Sequence, residues 1–254
     1  YPSDITSNSN IDINTFINQP NNILGIEYIK ALMRFNSKIN PVPLKRLGAG
    51  YHSLDTGTKL ASATGIRTAM ANKDNISGLL PDNCLNIIKN HTTIEYNDFS
   101  TVLGSKLLSM DTLDHIEGIN QDLSNRIANN KYNFTDIETF IPMLQSKNYT
   151  YSAISRALLH IILDIKTDDI KEFVNNNYAM ILGFTKKSGV LSEISKSTKI
   201  PLVSKFATFY KEADNNQRKM LDINLKADNL YRMIYMNKTG ETLPTEFQRQ
   251  IIIF

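Results

Sequence analysis

From Pro81 onward, the sequence is a succession of helical patterns of apolar residues with few candidate strands. Polar residues or prolines separate the patterns, which lie in LNIIKNH, DFSTVLGSKLLSM, HIEGINQDLSNRIANN, DIETFIPMLQS, YSAISRALLHIILDI and DDIKEFVNNNYAMILGF. A later segment, KIPLVSKFATFY, has room for one short extended piece. Residues 79–254 are therefore predicted to form a mostly helical domain.

Residues 1–78 have a different order of predicted elements: a helix, a strand, a polar loop and a second helix. PNNILGIEYIKALMRF has apolar residues at helical spacing, and Asn21 or Asn22 is available as its N-cap. PVPLKRLGAG is predicted to be a short strand, and a second helix is predicted to start within LASATGIRTAM. This order is typical of a doubly wound α/β unit. Since such a sheet usually has roughly four or five strands, residues 1–78 are predicted to be only part of one.

The composition excludes several classes of protein. The chain is 41% hydrophobic and 21% charged, as ordinary globular proteins are. It has neither the run of ~18 apolar residues that a membrane span needs nor a secretory signal pattern, so no membrane association is predicted and the cytoplasm fits best. A single cysteine, Cys84, excludes an internal disulfide and a multi-cysteine zinc site, and the acidic residues show no metal-ligand spacing. The slight excess of Lys and Arg, 28 against 25 acidic residues, permits nucleic-acid binding without requiring it.

The stretch LASATGIRTAM combines the features of an anion-binding helix start. Ser62 or Thr64 can cap the helix, and Arg67 follows Thr64 by one turn on the same face. Backbone N–H groups, a hydroxyl, the helix dipole and a guanidinium together can bind phosphate. A plain capped surface helix with a solvated arginine has the same pattern, so spacing alone leaves both interpretations open.

The same stretch resembles a motif of a known superfamily. ASATGIR is similar to the I-S-S-T-x-I-R motif of the nucleotidylyltransferases, in which the Ser/Thr and Arg bind ATP phosphates. QPNNILGIEYIKAL, the pair YH, ILGFTKK and PLVSK resemble, in this order, segments of one family, the bacterial tRNA(Met) cytidine acetate ligases. The resemblance runs from about Pro20 to near Asp228.

The resemblance implies a fold of class α/β plus all-α. Residues 1–78 would be the C-terminal half of a HUP/Rossmann-like nucleotidylyltransferase domain, and residues 79–254 a mostly helical, tRNA-binding domain. The implied enzyme uses ATP, which is expected to bring Mg²⁺, to activate acetate as acetyl-adenylate. It then acetylates N4 of the wobble cytidine of elongator tRNA(Met).

The resemblance also implies site residues. Those expected to bind ATP are Asn21, Asn22, Arg46, Leu47 (through its backbone), Thr64 and Arg67. Those expected to support them are Tyr51, His52 and Ser62. Those expected to contact tRNA are Arg156, Lys186, Lys187 and Lys205, although an ion-paired arginine and solvated lysines would give the same pattern.

One departure from the superfamily is large. Its H-x-G-H signature is absent, because none of the chain's four histidines lies in such a motif: His52, His91, His115 and His160. His160 lies in the apolar pattern RALLHIIL and is predicted to be a hydrogen-bonded core residue. We therefore expect a fragment, rather than a degenerate paralogue, that lacks the N-terminal half of the same enzyme, contains no catalytic residue and is inactive alone. The alternatives are a non-catalytic RNA-binding module and an adenylyltransferase that acts on a small metabolite.

Overall fold

The computed structural model describes residues 17, 19–44, 61–170, 178–186 and 189–254. Five of the predicted site residues lie outside these ranges: Arg46, Leu47, Tyr51, His52 and Lys187. The chain divides into two compact units, Tyr1–His91 and Thr92–Phe254. The predicted boundary after residue 78, between part of a nucleotidylyltransferase-like α/β domain and a helical, tRNA-binding domain, stays a prediction.

The first unit contains three described helices, α1 (Pro20–Arg34), α2 (Ala63–Ala71) and α3 (Asp82–Asn90). The helix predicted in PNNILGIEYIKALMRF is confirmed as α1, but the prediction that an asparagine caps it is wrong. Gln19 is the N-cap, and its carbonyl accepts hydrogen bonds from the N–H groups of Asn22 and Ile23, both at 2.9 Å. Proline is favoured at the first helical position because its fixed φ suits the helix and its missing N–H would have no partner there.

The short strand predicted in PVPLKRLGAG is not present in its described part. Residues 41–44 have no regular secondary structure, and the described ranges of the first unit contain no strand. Two of the four residues at 41–44 are prolines, which cannot donate to a β-ladder.

The second unit is mostly helical, as predicted. Its described helices are α4 (Ser100–Ser109), α5 (Gln121–Asn130), α6 (Ile137–Leu144), α7 (Tyr151–Leu163), α8 (Val190–Ser197), α9 (Phe206–Glu212) and α10 (Asn215–Thr239). Two 3₁₀ turns, Tyr96–Phe99 and Lys131–Asn133, precede α4 and follow α5. Across the described ranges, every helix is too short or too polar to span a membrane.

Local capping explains where α5 begins. The helical pattern HIEGINQDLSNRIANN predicted an earlier start, which is wrong. Gly118 has a φ of +81°, outside the range of a right-handed helix, and the Asn120 side chain caps the helix by accepting from the Leu123 amide at 3.0 Å. Residues 114–118 form turns in which Ile116 makes an isolated bridge to Lys166, and α5 starts at Gln121.

The main core of this unit lies among α4, α5, α6 and α7. It is built from fully buried aliphatic side chains around Phe140, whose ring meets that of Phe134 edge-on at 5.1 Å. A smaller core consists of Phe206, Ala213, Met220 and Leu221, on α9, α10 and the residues between them. The described part of the helical unit therefore has two separate hydrophobic clusters.

Among the described residues, four two-residue strands form two parallel pairs. β1 (Ala179–Met180) pairs with β3 (Leu202–Val203), and β2 (Gly183–Phe184) pairs with β4 (Ile252–Ile253). The extended piece predicted in KIPLVSKFATFY is confirmed as β3. The helix predicted through DDIKEFVNNNYAMILGF is wrong at its C-terminal end, where β1 and β2 lie.

Candidate functional site

The start of α2 is a capped helix terminus, as predicted. Ser62 is the N-cap, is fully buried, and accepts a hydrogen bond at its Oγ from the Gly65 amide at 2.9 Å. Its carbonyl accepts from the Ile66 amide at 2.9 Å. Thr64 is not the cap but lies within the first turn, and Gly65 and Ala69 form the buried side of the helix.

Two backbone amides at this helix terminus are available to donate hydrogen bonds to a ligand. The N–H groups of Ala63 and Thr64 have no hydrogen-bond acceptor among the described residues. Arg67 is exposed, and its guanidinium has neither an ion-pair nor a hydrogen-bond partner within the same ranges. Two open amides, the positive end of the helix dipole, the Thr64 hydroxyl and a guanidinium one turn away can together hold a phosphate.

The asparagines of α1 lie in its first turn. Asn21 is exposed and Asn22 is half-buried. Among the described residues, no hydrogen bond joins Asn21 to Thr64 or Arg67. Their shared role at a nucleotide stays a prediction.

The cations predicted to contact tRNA are accessible where they are described. Arg156 lies on the exposed side of α7 and has no carboxylate partner in the described part of the chain. Lys186 is exposed just after β2, where its amide donates to the Phe254 carbonyl at 3.2 Å. Lys205 is the exposed N-cap residue of α9. These positions leave the positive charges available to an anionic partner.

The three described histidines show no catalytic arrangement. His160 is partly buried with Nδ1 2.8 Å from the Glu117 carbonyl, which confirms it as a hydrogen-bonded core residue. His115 lies 3.8 Å from Asp164, and His91 is exposed after α3. Within the described ranges, no three His, Cys, Asp or Glu side chains are placed to hold a metal ion.

Two features of the second unit could not be predicted from the sequence because they join distant segments. Lys238 near the end of α10 donates to both carboxylate oxygens of Asp98, at 2.7 and 2.9 Å. An aromatic cluster joins α9 to Phe247. The spacing of Phe206, Phe209 and Tyr210 is a local signal for one helical face, but nothing in the sequence places Phe247 against it.

Comparison with solved structures gives the class of fold. The apo crystal structure of Thermotoga maritima TmcAL superposes with a TM-score of 0.81 at 23% identity, covering 94% of this chain and 61% of that one. The same protein bound with alpha-thio ATP gives a TM-score of 0.78, also at 23% identity and with the same coverage. The chain thus shares the fold of this protein.

Comparison of sequences gives the family. Residues 1–245 match the model of the HIGH Nucleotidyl Transferase family, and the chain belongs to that family. Among its relatives, the tRNA(Met) cytidine acetate ligase of Thermoanaerobacter sp. (strain X514) is 31% identical over 239 residues, covering 91% of this chain and 59% of the relative. The ligase of the same name from Caldanaerobacter subterraneus subsp. tengcongensis is 35% identical over 225 residues, covering 85% and 56%. The resemblance seen in the motifs is confirmed, and the chain spans less than two thirds of the length of these relatives.

Proposed function

We propose that this chain is the C-terminal part of an ATP-dependent ligase that acetylates N4 of the wobble cytidine of elongator tRNA(Met). The observation that carries the proposal is the capped helix start at Ser62, with its open amides and exposed Arg67, in a chain of the nucleotidyltransferase family. The names of the relatives support tRNA(Met) as the substrate, and the alpha-thio ATP in the Thermotoga protein supports ATP.

The proposed reaction has two steps. A carboxylate oxygen of acetate attacks the α-phosphorus of ATP, so that pyrophosphate leaves and acetyl-adenylate forms. The cytidine N4 amine then attacks the acetyl carbonyl carbon, and AMP leaves as the amine loses a proton. Both steps develop negative charge on phosphate oxygens, which preorganised hydrogen-bond donors and cations stabilise.

We assign the residues of this chain to holding the substrates. The Ala63 and Thr64 amides, the Thr64 hydroxyl and Arg67 hold ATP phosphates, and Ser62 fixes the helix start that presents them. The other nucleotide contacts follow the family resemblance: Asn21, Asn22, Arg46 and Leu47, with Tyr51 and His52 in support. Mg²⁺ is proposed to enter with ATP, because phosphate oxygens are among the ligands that it prefers.

The catalytic histidines of the superfamily must come from another stretch of polypeptide. Because the sequence contains no H-x-G-H, we propose that residues 1–254 alone do not activate acetate and need the N-terminal half of the same enzyme as a partner. The test is acetate-dependent ATP/pyrophosphate exchange by residues 1–254, alone and with an H-x-G-H polypeptide added. Only the combination is expected to show exchange. Robust exchange by residues 1–254 alone would contradict the proposal.

The tRNA is proposed to meet the second unit through Arg156, Lys186, Lys187 and Lys205. Changing Lys186 and Lys187 to Glu should weaken tRNA binding and flatten its dependence on salt, by about one unit of slope for each phosphate that is no longer neutralised. Lys30→Glu is the matched control, since Lys30 is already paired with Glu27 at 2.7 Å in the first unit. If the native chain, the variant with Glu at 186 and 187, and Lys30→Glu all show the same salt slope, these two lysines are ruled out as phosphate contacts.

A further inference from the structure

One ring of the aromatic cluster in the second unit is half exposed. Phe206 and Tyr210 on α9 stack at 5.9 Å with 28° between their planes. Phe247 meets both of them edge-on, with ring centroids 5.2 Å and 5.5 Å away. Phe206 is 5% exposed, whereas Phe247 is 47% exposed. The cluster therefore holds the Phe247 ring in a fixed position and leaves part of it open.

The backbone around Phe247 is also held in place. It lies in a turn in which the amides of Gln248 and Arg249 donate to the Thr245 carbonyl at 2.9 and 3.0 Å. The Gln248 side-chain oxygen in turn accepts from the amide and the hydroxyl of Thr245 at 3.0 and 3.1 Å. A ring fixed by its turn and by two neighbouring rings loses little conformational freedom when a ligand stacks on it.

Positive charge lies beside this ring system. The guanidinium carbon of Arg218 is 5.6 Å from the centroid of Tyr210, and its nitrogens donate to the carbonyls of Ala213 and Lys211 rather than to a carboxylate. Lys205 directly precedes Phe206 and is exposed. Asp222 accepts a hydrogen bond from the Tyr210 hydroxyl at 2.7 Å, and Glu246, which directly precedes Phe247, is paired with Arg249 at 3.1 Å.

We propose that Phe247 is a stacking site for an unpaired RNA base, with Lys205 and Arg218 attracting the neighbouring phosphates. An exposed aromatic ring beside accessible cations is the arrangement with which proteins bind single-stranded RNA. The inference rests on the proposed function, because the wobble cytidine lies in a single-stranded loop. It goes further in assigning a residue outside the range that the family model matches, residues 1–245.

Tryptophan fluorescence tests the stacking directly. The chain has no Trp, so Phe247→Trp introduces a single reporter at this position. A single-stranded RNA should quench it saturably, whereas a duplex RNA with the same number of phosphates should quench it much less. The control is Tyr132→Trp, since Tyr132 is 80% exposed and has Lys131 5.5 Å from its ring centroid. Equal quenching in the two variants, or RNA binding without quenching of Phe247→Trp, would overturn the proposal.

Affinity gives a second readout. Phe247→Ala should weaken binding of the single-stranded RNA by about 5- to 150-fold without changing the salt slope, whereas Phe247→Tyr should bind nearly as well as the native chain. If Phe247→Ala binds the RNA as tightly as the native chain does but with a smaller salt slope, stacking is refuted.

The anticodon arm of elongator tRNA(Met) separates this inference from the proposed function. Equal quenching of Phe247→Trp by that arm and by an unrelated single-stranded RNA would support stacking and count against tRNA(Met) as the specific substrate. Binding of the arm without quenching would overturn stacking and leave the proposed substrate standing.

Discussion

The ion pair between Asp98 and Lys238 offers a quantitative test of how α10 is held to the helical unit. The two residues are 140 positions apart, and the Lys238 ammonium lies 2.7 and 2.9 Å from the two carboxylate oxygens. The oxygen at 2.7 Å also accepts a hydrogen bond from the Glu95 amide at 2.7 Å. Replacing Asp98 with Asn or Lys238 with Met removes the charge pair and should loosen the end of α10.

The expected coupling free energy of this pair follows from how exposed its two side chains are. The side chains of Lys238 and Asp98 are 34% and 21% exposed, between a surface pair and a buried one. Exposed pairs are worth about 0.2–1 kcal/mol and hydrogen bonds to charged groups about 1.5–3 kcal/mol, so we expect a coupling free energy of about 1–2 kcal/mol.

The pair should also make stability depend on pH. Burial raises the pKa of Asp98, but the hydrogen bond from the Glu95 amide and the hydrogen bond and charge of Lys238 leave that pKa below its ordinary value of 3.8. Since the folded carboxylate binds a proton less readily than the unfolded one, the stabilisation is complete above pH 3.8 and is lost as the pH falls through the lower folded pKa.

A double-mutant cycle of Asp98→Asn and Lys238→Met, followed by urea denaturation at neutral and acidic pH, measures this coupling. The matched cycle uses Arg126 and Asp122, whose 3.1 Å pair is more exposed and should give only about 0.3–0.5 kcal/mol. A coupling at neutral pH no larger than that of the control pair, or one that persists well below the carboxyl pKa, would refute the reasoning.

Two further changes test the fold around the sites. Ser62→Ala should lower the free energy of unfolding of the first unit by about 0.5–2 kcal/mol, because the Gly65 amide loses its acceptor; an unchanged urea midpoint would count against the cap. Gly183→Ala would place a Cβ 2.9 Å from the Ile252 carbonyl oxygen and should cost about 1–3 kcal/mol, with faster amide exchange at Ile252, whereas Gly189→Ala, in open space, serves as its control.

Helices α1 to α7 were predictable because their signals are local. The apolar spacing of α1 and of α4 to α7 lies within each segment, and so does the Ser62 cap of α2. The strands β1 and β2 were missed because the partner of β2 is Ile252–Ile253, far along the chain, and a two-residue strand has no periodicity of its own.

The candidate sites, too, were predictable only where their residues lie close together in the sequence. The helix start from Ser62 to Arg67 was predictable because every group in it lies within two turns. The aromatic cluster was not, because Phe247 reaches α9 only through the tertiary fold. The sequence also did not predict that the Ala63 and Thr64 amides have no acceptor among the described residues, because this depends on which N–H groups the cap satisfies.

The most direct test of the central claim is acetylation of elongator tRNA(Met) by this chain combined with an H-x-G-H polypeptide, with ATP and acetate supplied. The product, N4-acetylcytidine at the wobble position, is measured by mass spectrometry of the digested tRNA. We expect product that requires both polypeptides, a rate roughly 10- to 100-fold lower at limiting ATP for Arg67→Ala, and little change for Arg34→Ala, an exposed arginine at the end of α1. No N4-acetylcytidine from the combined polypeptides, or equal rates for the two arginine variants, would contradict the account.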